Sequence, residues 1–298
     1  VDIKRLRLLR AFADHGSVGA VAEFMGITPS AVSQQLKILA TEAGVALFEP
    51  DGRGIRLTAA GTALVLRADE VIAAADRAME KMKSYQNESP GVRLAISSSA
   101  ARALLPGLLT GIREYASMRL FARELRTDDV EDAAALTDND IVVTHRDGHA
   151  RMLAPSPRVT VTELMREPLV VVASLDSTMA DRHTVNISDL ADAPLICDRS
   201  DDMTNRVLMS ITSATGVSPC ISVQLADVAA IELMVAAGHG VALLPRSAAR
   251  HPRTKRLELE GVDSTLVYEA ITRSQPLEHV VDVVRCLTEI GAAVTQNC

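Results

Sequence analysis

Ser30, Ser33, Gln34 and Lys37 share one side of a helical repeat in TPSAVSQQLKILATEA, residues 28–43, with Val32, Leu36 and Leu39 on the other. Hydroxyl and amide groups at that spacing match the donor and acceptor patterns of base edges. Glutamine can bond adenine through two atoms, and Lys37, one turn on, suits a phosphate. Alone, the same face reads more readily as a solvated helix surface, and it is the surrounding elements that favour the other reading. Thr28 is a natural N-cap, and Pro29 occupies the first helical position, where its missing N–H is no loss. Beyond Gly44, ALFEPDGRGIRLT reads as strand, turn and strand, with Arg53 at the tip and Arg56 on the return strand. An arginine at such a tip suits the negative potential of a narrow minor groove; an ordinary surface turn also accounts for it.

Those side chains need elements to hold them. Ile3, Leu6, Leu9, Phe12 and Ala13 predict a first helix that stops at His15-Gly16. Ser17 then caps a second helix through Met25, with Ala20, Val21 and Phe24 inward, and Gly26 closes it. A capped helix, a tight turn and a second capped helix form a helix-turn-helix, whose second helix enters the major groove, with the hairpin beside it as a wing. Ser17, at a helix N-terminus, could add a contact to the nucleic-acid backbone, although capping explains it equally well. Thr58 caps a long helix in which Leu64, Ala68, Val71, Ala75, Ala78, Met82 and Tyr85 alternate by four and three residues. That narrow seam, flanked by charges, favours a partner helix and hence a dimer. NESPG, residues 87–91, breaks the helix and opens the next domain.

From Val92 strands and helices alternate. VRLAIS, LFAREL, DIVVT, EPLVVVAS, APLIC, ISVQL and VALLP read as strands, with helices near 104–112, 205–215, 228–237 and after Pro276. This pattern predicts parallel sheets with helices on both faces. Ligands of such sheets settle at the carboxyl ends of strands. Ser97, Ser98 and Ser99 follow the first strand, Thr144 and His145 end DIVVT, and Cys197, Asp198 and Arg199 end APLIC; these are the candidate ligand contacts. Helix capping is an equal reading for the serines. Asp227, the remaining candidate, reads more readily as an N-cap.

The chain has 298 residues, enough for two or three domains, and a net charge of -7. Residues 1–83 carry 11 Lys+Arg against 10 Asp+Glu, so the acidic excess lies in the rest. An acidic body cannot grip nucleic acid through its overall field, so contacts must come from local geometry. Cys197, Cys220, Cys286 and Cys298 show neither C-x-x-C pairing nor metal-ligand spacing, which points to a reduced, cytoplasmic chain without a metal or other cofactor. No stretch reaches the length of a membrane span. An α/β enzyme is a rival class, but no nucleophile elbow, phosphate-binding loop or dinucleotide fingerprint is present. A constitutive architectural DNA protein is the other rival.

LRLLRAFADHGSVGAVAEFMGITPSAVSQQLKILATEAGVALFEPDGRGIRLTAAG, then MREPLVVVASLDSTMA and VAAGHGVALLP, resemble the LysR-type transcriptional regulators along the whole chain, most specifically at the N-terminus. The chain departs from the commoner family pattern at Thr28-Pro29-Ser30, at Gln34 in place of a frequent arginine, and at Glu49-Pro50. The resemblance implies an α/β architecture: a winged helix-turn-helix over 1–58, a linker helix over 59–88 and a periplasmic-binding-protein-like effector domain over 92–298. Lobe I would comprise 92–161 plus 268–298 and lobe II 162–267, with crossings near Val161 and Val267. It implies a homodimer, paired again into a tetramer, on an inverted-repeat operator in double-stranded DNA. A small-molecule inducer would sit between the lobes, and RNA polymerase would be a partner if the output is activation.

Overall fold

Three short helices open the computed structural model, which describes residues 2–52, 54–85, 91–114, 118–125, 135–148, 157–198 and 202–296. They are α1 (Ile3–His15), α2 (Val18–Met25) and α3 (Pro29–Ala43). Each starts on the side-chain cap its sequence supplies: Lys4 N–H donates to Asp2, Ala20 N–H to Ser17 and Ala31 N–H to Thr28. Each ends at a left-handed glycine, Gly16, Gly26 or Gly44, with φ of 74°, 64° and 68°. Leu9, Val32, Leu36 and Leu39 meet in the core of this unit, and each such burial stabilises by about 1.5–3 kcal/mol. On α2 the buried pair is Val21 and Ala22, while Ala20 and Phe24 are half-buried; Phe24 stacks on His15 with centroids 4.7 Å apart.

The hairpin β1 (Phe48–Asp51) and β2 (Gly54–Leu57) follows, and then α4 (Ala59–Tyr85). Gly61 lets α4 start against the hairpin, because a Cβ there would lie 2.2 Å from the Leu47 carbonyl oxygen. Here the seam expected on α4 divides. Leu64 and Ala68 turn inward with Val65 and Ile72 onto the first three helices, so they serve the chain's own core. Val71, Ala78 and Met82 stay exposed, with Ala75 half-buried, as does Met79. The side chain of Tyr85 lies outside the described residues. An ideal helix drifts relative to a strict heptad, so one stripe cannot face the same neighbour over all 27 residues.

The remainder contains β3 (Gly91–Ile96), α5 (Ser98–Gly111), β4 (Arg119–Glu124), α6 (Ala135–Asp138), β5 (Ile141–Asp147), β6 (Val159–Ser174) and β7 (Thr184–Asn186). After them come β8 (Leu195–Asp198), α7 (Asp202–Thr215), β9 (Ile221–Leu225), α8 (Val228–Ala236), β10 (Val241–Pro245), β11 (Thr254–Glu260), β12 (Thr265–Arg273) and α9 (Glu278–Gln296). The strand order is β4-β3-β5-β12-β6-β10-β8-β9, with β11 on β6 and β7 on β11. The sheets are mixed rather than wholly parallel. β3, β4 and β5 are parallel, as are β8, β9 and β10, but β12 is antiparallel to β5 and β6, and β10 is antiparallel to β6. The reason is connectivity: β6 carries the chain out of the first lobe and β12 carries it back, so the two must run in opposite directions.

β6 changes partner inside its length. Pro168 is its last residue paired with β12, and Leu169 is its first paired with β10. Proline has no N–H for the ladder, and Leu169 N–H turns instead to the Ser264 carbonyl at 2.9 Å. The exchange therefore lies at Pro168–Leu169 on the way out, further along the chain than Val161, and at Ser264–Thr265 on the way back, near Val267. Among the described residues no helix is long and apolar enough to cross a membrane, and no cluster of His, Cys, Asp and Glu could hold a metal ion.

Candidate functional site

The outer face of α3 is the first half of the site. Thr28, Pro29, Ser30, Ser33, Gln34 and Lys37 are all exposed, while Val32, Leu36 and Leu39 anchor the helix from below. The Thr28 hydroxyl accepts the Ala31 N–H at 3.2 Å and lies 3.0 Å from Ser30 Oγ, so its first duty is the cap. Ser17 Oγ likewise accepts the Ala20 N–H at 3.2 Å. At the wing, β1 and β2 place Glu49 opposite Arg56, and the two form an exposed ion pair at 2.7 Å. A solvated pair of this kind is worth well under about 1 kcal/mol and can open for a phosphate. Arg53 lies outside the described residues.

The effector candidates form the second half. Ser97, at the N-cap of α5, has its N–H on the Val143 carbonyl, and its Oγ lies 3.4 Å from Ser99 Oγ. Ser99 Oγ meets His145 Nδ1 at 2.9 Å, and Ser98 Oγ donates to Glu124. The three serines, His145 and Glu124 thus stand at the carboxyl ends of β3, β4 and β5, where polar groups can hold a small ligand. Thr144 is buried and sits just below this rim. His145 also rests on the Tyr268 ring at 5.7 Å.

Two candidates leave this group. Cys197 is 2% exposed and packs in the core; burial, then the neighbouring Asp198 charge, push its thiol up to about 11. Its thiol is neutral at ordinary pH, and its position on a buried strand removes it from ligand contact. Asp227 accepts the Ala229 N–H at 2.9 Å and the Ala230 N–H at 3.4 Å, the expected N-cap of α8. Arg199 lies outside the described residues, while Asp198, half-buried, ends β8.

Residues missed in the sequence close the cleft. β5 runs past Thr144 to Asp147, which puts Arg146 and Asp147 on the same strand. Arg146 pairs with the buried Glu269 of β12 at 2.8 Å. Arg206 of α7 reaches across from the second lobe to pair with Asp147 and donates to the Asp263 carbonyl at 2.7 Å. This ion pair ties one lobe to the other. The run His145-Arg146-Asp147 held the signal, but only pairing with β12 shows that the strand continues.

A third feature joins the two halves. Asp14, near the end of α1, is 6% exposed although it is charged. Arg158 pairs with it at 2.9 Å, Arg273 at 2.7 Å, and the Thr137 hydroxyl donates to it at 3.0 Å. Arg158 also pairs with Asp69 of α4 at 2.6 Å. Burial opposes the charge of Arg158, but the bonds to Asp69 and Asp14 more than offset this and hold its pKa above the ordinary arginine value. Arg10 lies beside them with its pKa lowered, by burial first and then by Arg273. Side chains from α6, from Arg158 just before β6 and from the end of β12 therefore clasp the helix-turn-helix.

Comparison with known proteins agrees with this arrangement. Residues 3–62 match the family described as "Bacterial regulatory helix-turn-helix protein, lysR family", and residues 86–289 match "LysR substrate binding domain". The transcriptional dual regulator GltC of Bacillus subtilis is 26% identical over 83% of this chain and 81% of its own length. The transcriptional regulator TdfR of Cupriavidus pinatubonensis is 26% identical over 96% of this chain and 98% of its own. The full-length regulator CbnR, solved with its target DNA, shares the fold with a TM-score of 0.55 at 18% identity, covering 98% of this chain and 100% of that one. With a helix-turn-helix joined by a long helix to a two-lobed α/β domain, this chain belongs to the LysR family: it is a DNA-binding transcriptional regulator with an effector-binding domain, not an enzyme.

Proposed function

We propose that two copies of this chain pair through α4 and place their α3 helices in successive major grooves of an inverted-repeat operator. The observation that carries this is the outer face of α3: Ser30, Ser33, Gln34 and Lys37 are exposed on a helix capped at both ends and anchored by a buried stripe. Ser30, Ser33 and Gln34 read base edges, Lys37 and Arg56 meet phosphates, and Arg53 enters the minor groove at the wing. Val71, Ala75, Ala78 and Met82 keep a three-four spacing on the exposed half of α4, which supports its use as the pairing seam. Pairing of dimers into a tetramer follows the resemblance to relatives, as do a bacterial cytoplasmic setting and contact with RNA polymerase where the output is activation.

A small polar effector binds between the lobes, against Ser97, Ser98, Ser99 and His145, with Asp198 at the end of β8 in the second lobe. Closure around it acts on the Asp147–Arg206 pair and so on β5 and β12. β12 ends at Arg273, which grips Asp14, so a change in the cleft reaches α1 through one strand. The test is a titration of the full chain against an inverted-repeat duplex from its own promoter region and a scrambled duplex of equal length. Dimeric binding that prefers the first at moderate salt supports the reading. A lone protomer that treats both alike contradicts it.

A further inference from the structure

A second concave site lies away from the effector cleft. A cavity of about 680 Å³ opens between α9 and α5 of the first lobe and the segment that follows β10 in the second. None of Ser97, Ser98, Ser99, Thr144, His145 or Asp198 lines it. Its walls differ in character. Arg246, Arg250, His251 and Arg256 form one side, and Ile290 and Val294 of α9 form the other. Gly107 of α5 closes the end, where a Cβ would lie 2.9 Å from Ile290 Cγ2.

The basic wall is held rigidly. Two buried carboxylates turn inward to fasten its backbone: Ser247 N–H and Oγ–H donate to Glu167 at 2.7 and 2.9 Å, and His251 N–H donates to Glu232 at 2.5 Å. Arg250 Nε donates to the Ser247 carbonyl at 2.7 Å, which fixes the root of its guanidinium. Arg253 N–H donates to His251 Nδ1 at 3.2 Å, which leaves the ring proton on Nε2 as a donor. Arg246 is neutralised by Glu258, but among the described residues neither Arg250 nor Arg256 forms an ion pair. Two arginines and an imidazole donor thus face an aliphatic wall, in a volume that suits a small molecule.

We propose that this cavity is a second ligand site, for an amphiphilic organic carboxylate whose anionic end meets Arg250, Arg256 and His251 and whose apolar body rests on Ile290, Ala293 and Val294. Guanidinium groups fit a carboxylate through paired N–H donors, and the aliphatic wall excludes a fully hydrated anion. The walls come from both lobes, so an occupant couples to the cleft, and coupling of binding is reciprocal. The site does not depend on operator reading, and its failure would leave that reading intact.

The full chain is titrated by calorimetry with benzoate, hexanoate and inorganic phosphate at low salt. Benzoate or hexanoate should saturate with a Kd of about 1 mM or tighter, and phosphate should bind at least about tenfold more weakly. Combined Arg250→Ser and Arg256→Ser, both at exposed positions, should weaken the carboxylates by about tenfold or more. Ala293→Trp, which fills the apolar side, should abolish them, with circular dichroism checking the fold. Ser99→Ala in the cleft should leave them unchanged. No saturable carboxylate binding, phosphate binding as tight as benzoate, or a loss caused by Ser99→Ala but not by the arginine pair would overturn the proposal.

Discussion

On α3, Ser30, Ser33, Gln34 and Lys37 stand in solvent and hold no other element in place, whereas at the junction Asp14 is buried and its partners Asp69, Arg158 and Arg273 are largely shielded from water. Removing a group from α3 leaves the fold intact and changes only what it touches outside. Removing one from the junction leaves a buried charge without its counterpart, and truncation of one partner of a buried pair costs about 3–5 kcal/mol. Exposure on a well-anchored element is therefore what marks a reading surface, and burial with mutual pairing marks a joint.

The sharpest contrast follows from Asp14→Ala, which takes from Arg273 its carboxylate and leaves Arg158 with Asp69 alone. Unfolding in urea should show a loss of about 3–5 kcal/mol, or an early transition confined to the helix-turn-helix. If the loss were below about 1 kcal/mol, the junction would be no stronger than a surface pair. Next comes Thr28→Ala, which removes the cap of α3 and should cost about 0.5–2 kcal/mol in the same measurement, with DNA affinity falling in parallel. Lys37→Ala should leave stability unchanged and reduce the slope of log affinity against log salt by about 1. The two cysteines of the second lobe supply the smallest test. Cys220 is exposed, while the Cys197 thiol is buried and pushed up to about 11, so it stays protonated well above neutral pH. Peptide mapping after iodoacetamide treatment at pH about 8 should find Cys220 alkylated first. Equal rates would mean that the β8 end opens to solvent.

Local signals were legible wherever the responsible residues are close in sequence. Ser17, Thr28 and Thr58 as caps, the Val32-Leu36-Leu39 stripe and the hairpin before α4 follow from spacing alone, and all stand where that spacing put them. Long-range pairing was not legible. The first half of β6 and all of β12 carry Glu163, Arg166 and Glu269 among apolar residues, and only their mutual ladder makes strands of them. The same limit hid the junction, since Asp14 and Arg273 lie at opposite ends of the chain. In the cleft, Ser99 and His145 could be named separately, but their contact, and the Asp147–Arg206 pair above it, required β5 and α7 to be set against each other. On α4 the seam was visible while its division between α1 and solvent was not, because periodicity does not say which neighbour a stripe will meet.

Gln34 offers the most direct measurement. Fluorescence anisotropy would compare the native chain and Gln34→Ala on an inverted-repeat operator and on versions with each base pair of the half-site changed in turn. A base-reading α3 requires that one position in each half-site lose its preference, about 1–3 kcal/mol, in the variant alone while the other positions keep theirs. A variant that retains every preference and weakens equally on all duplexes would contradict that role.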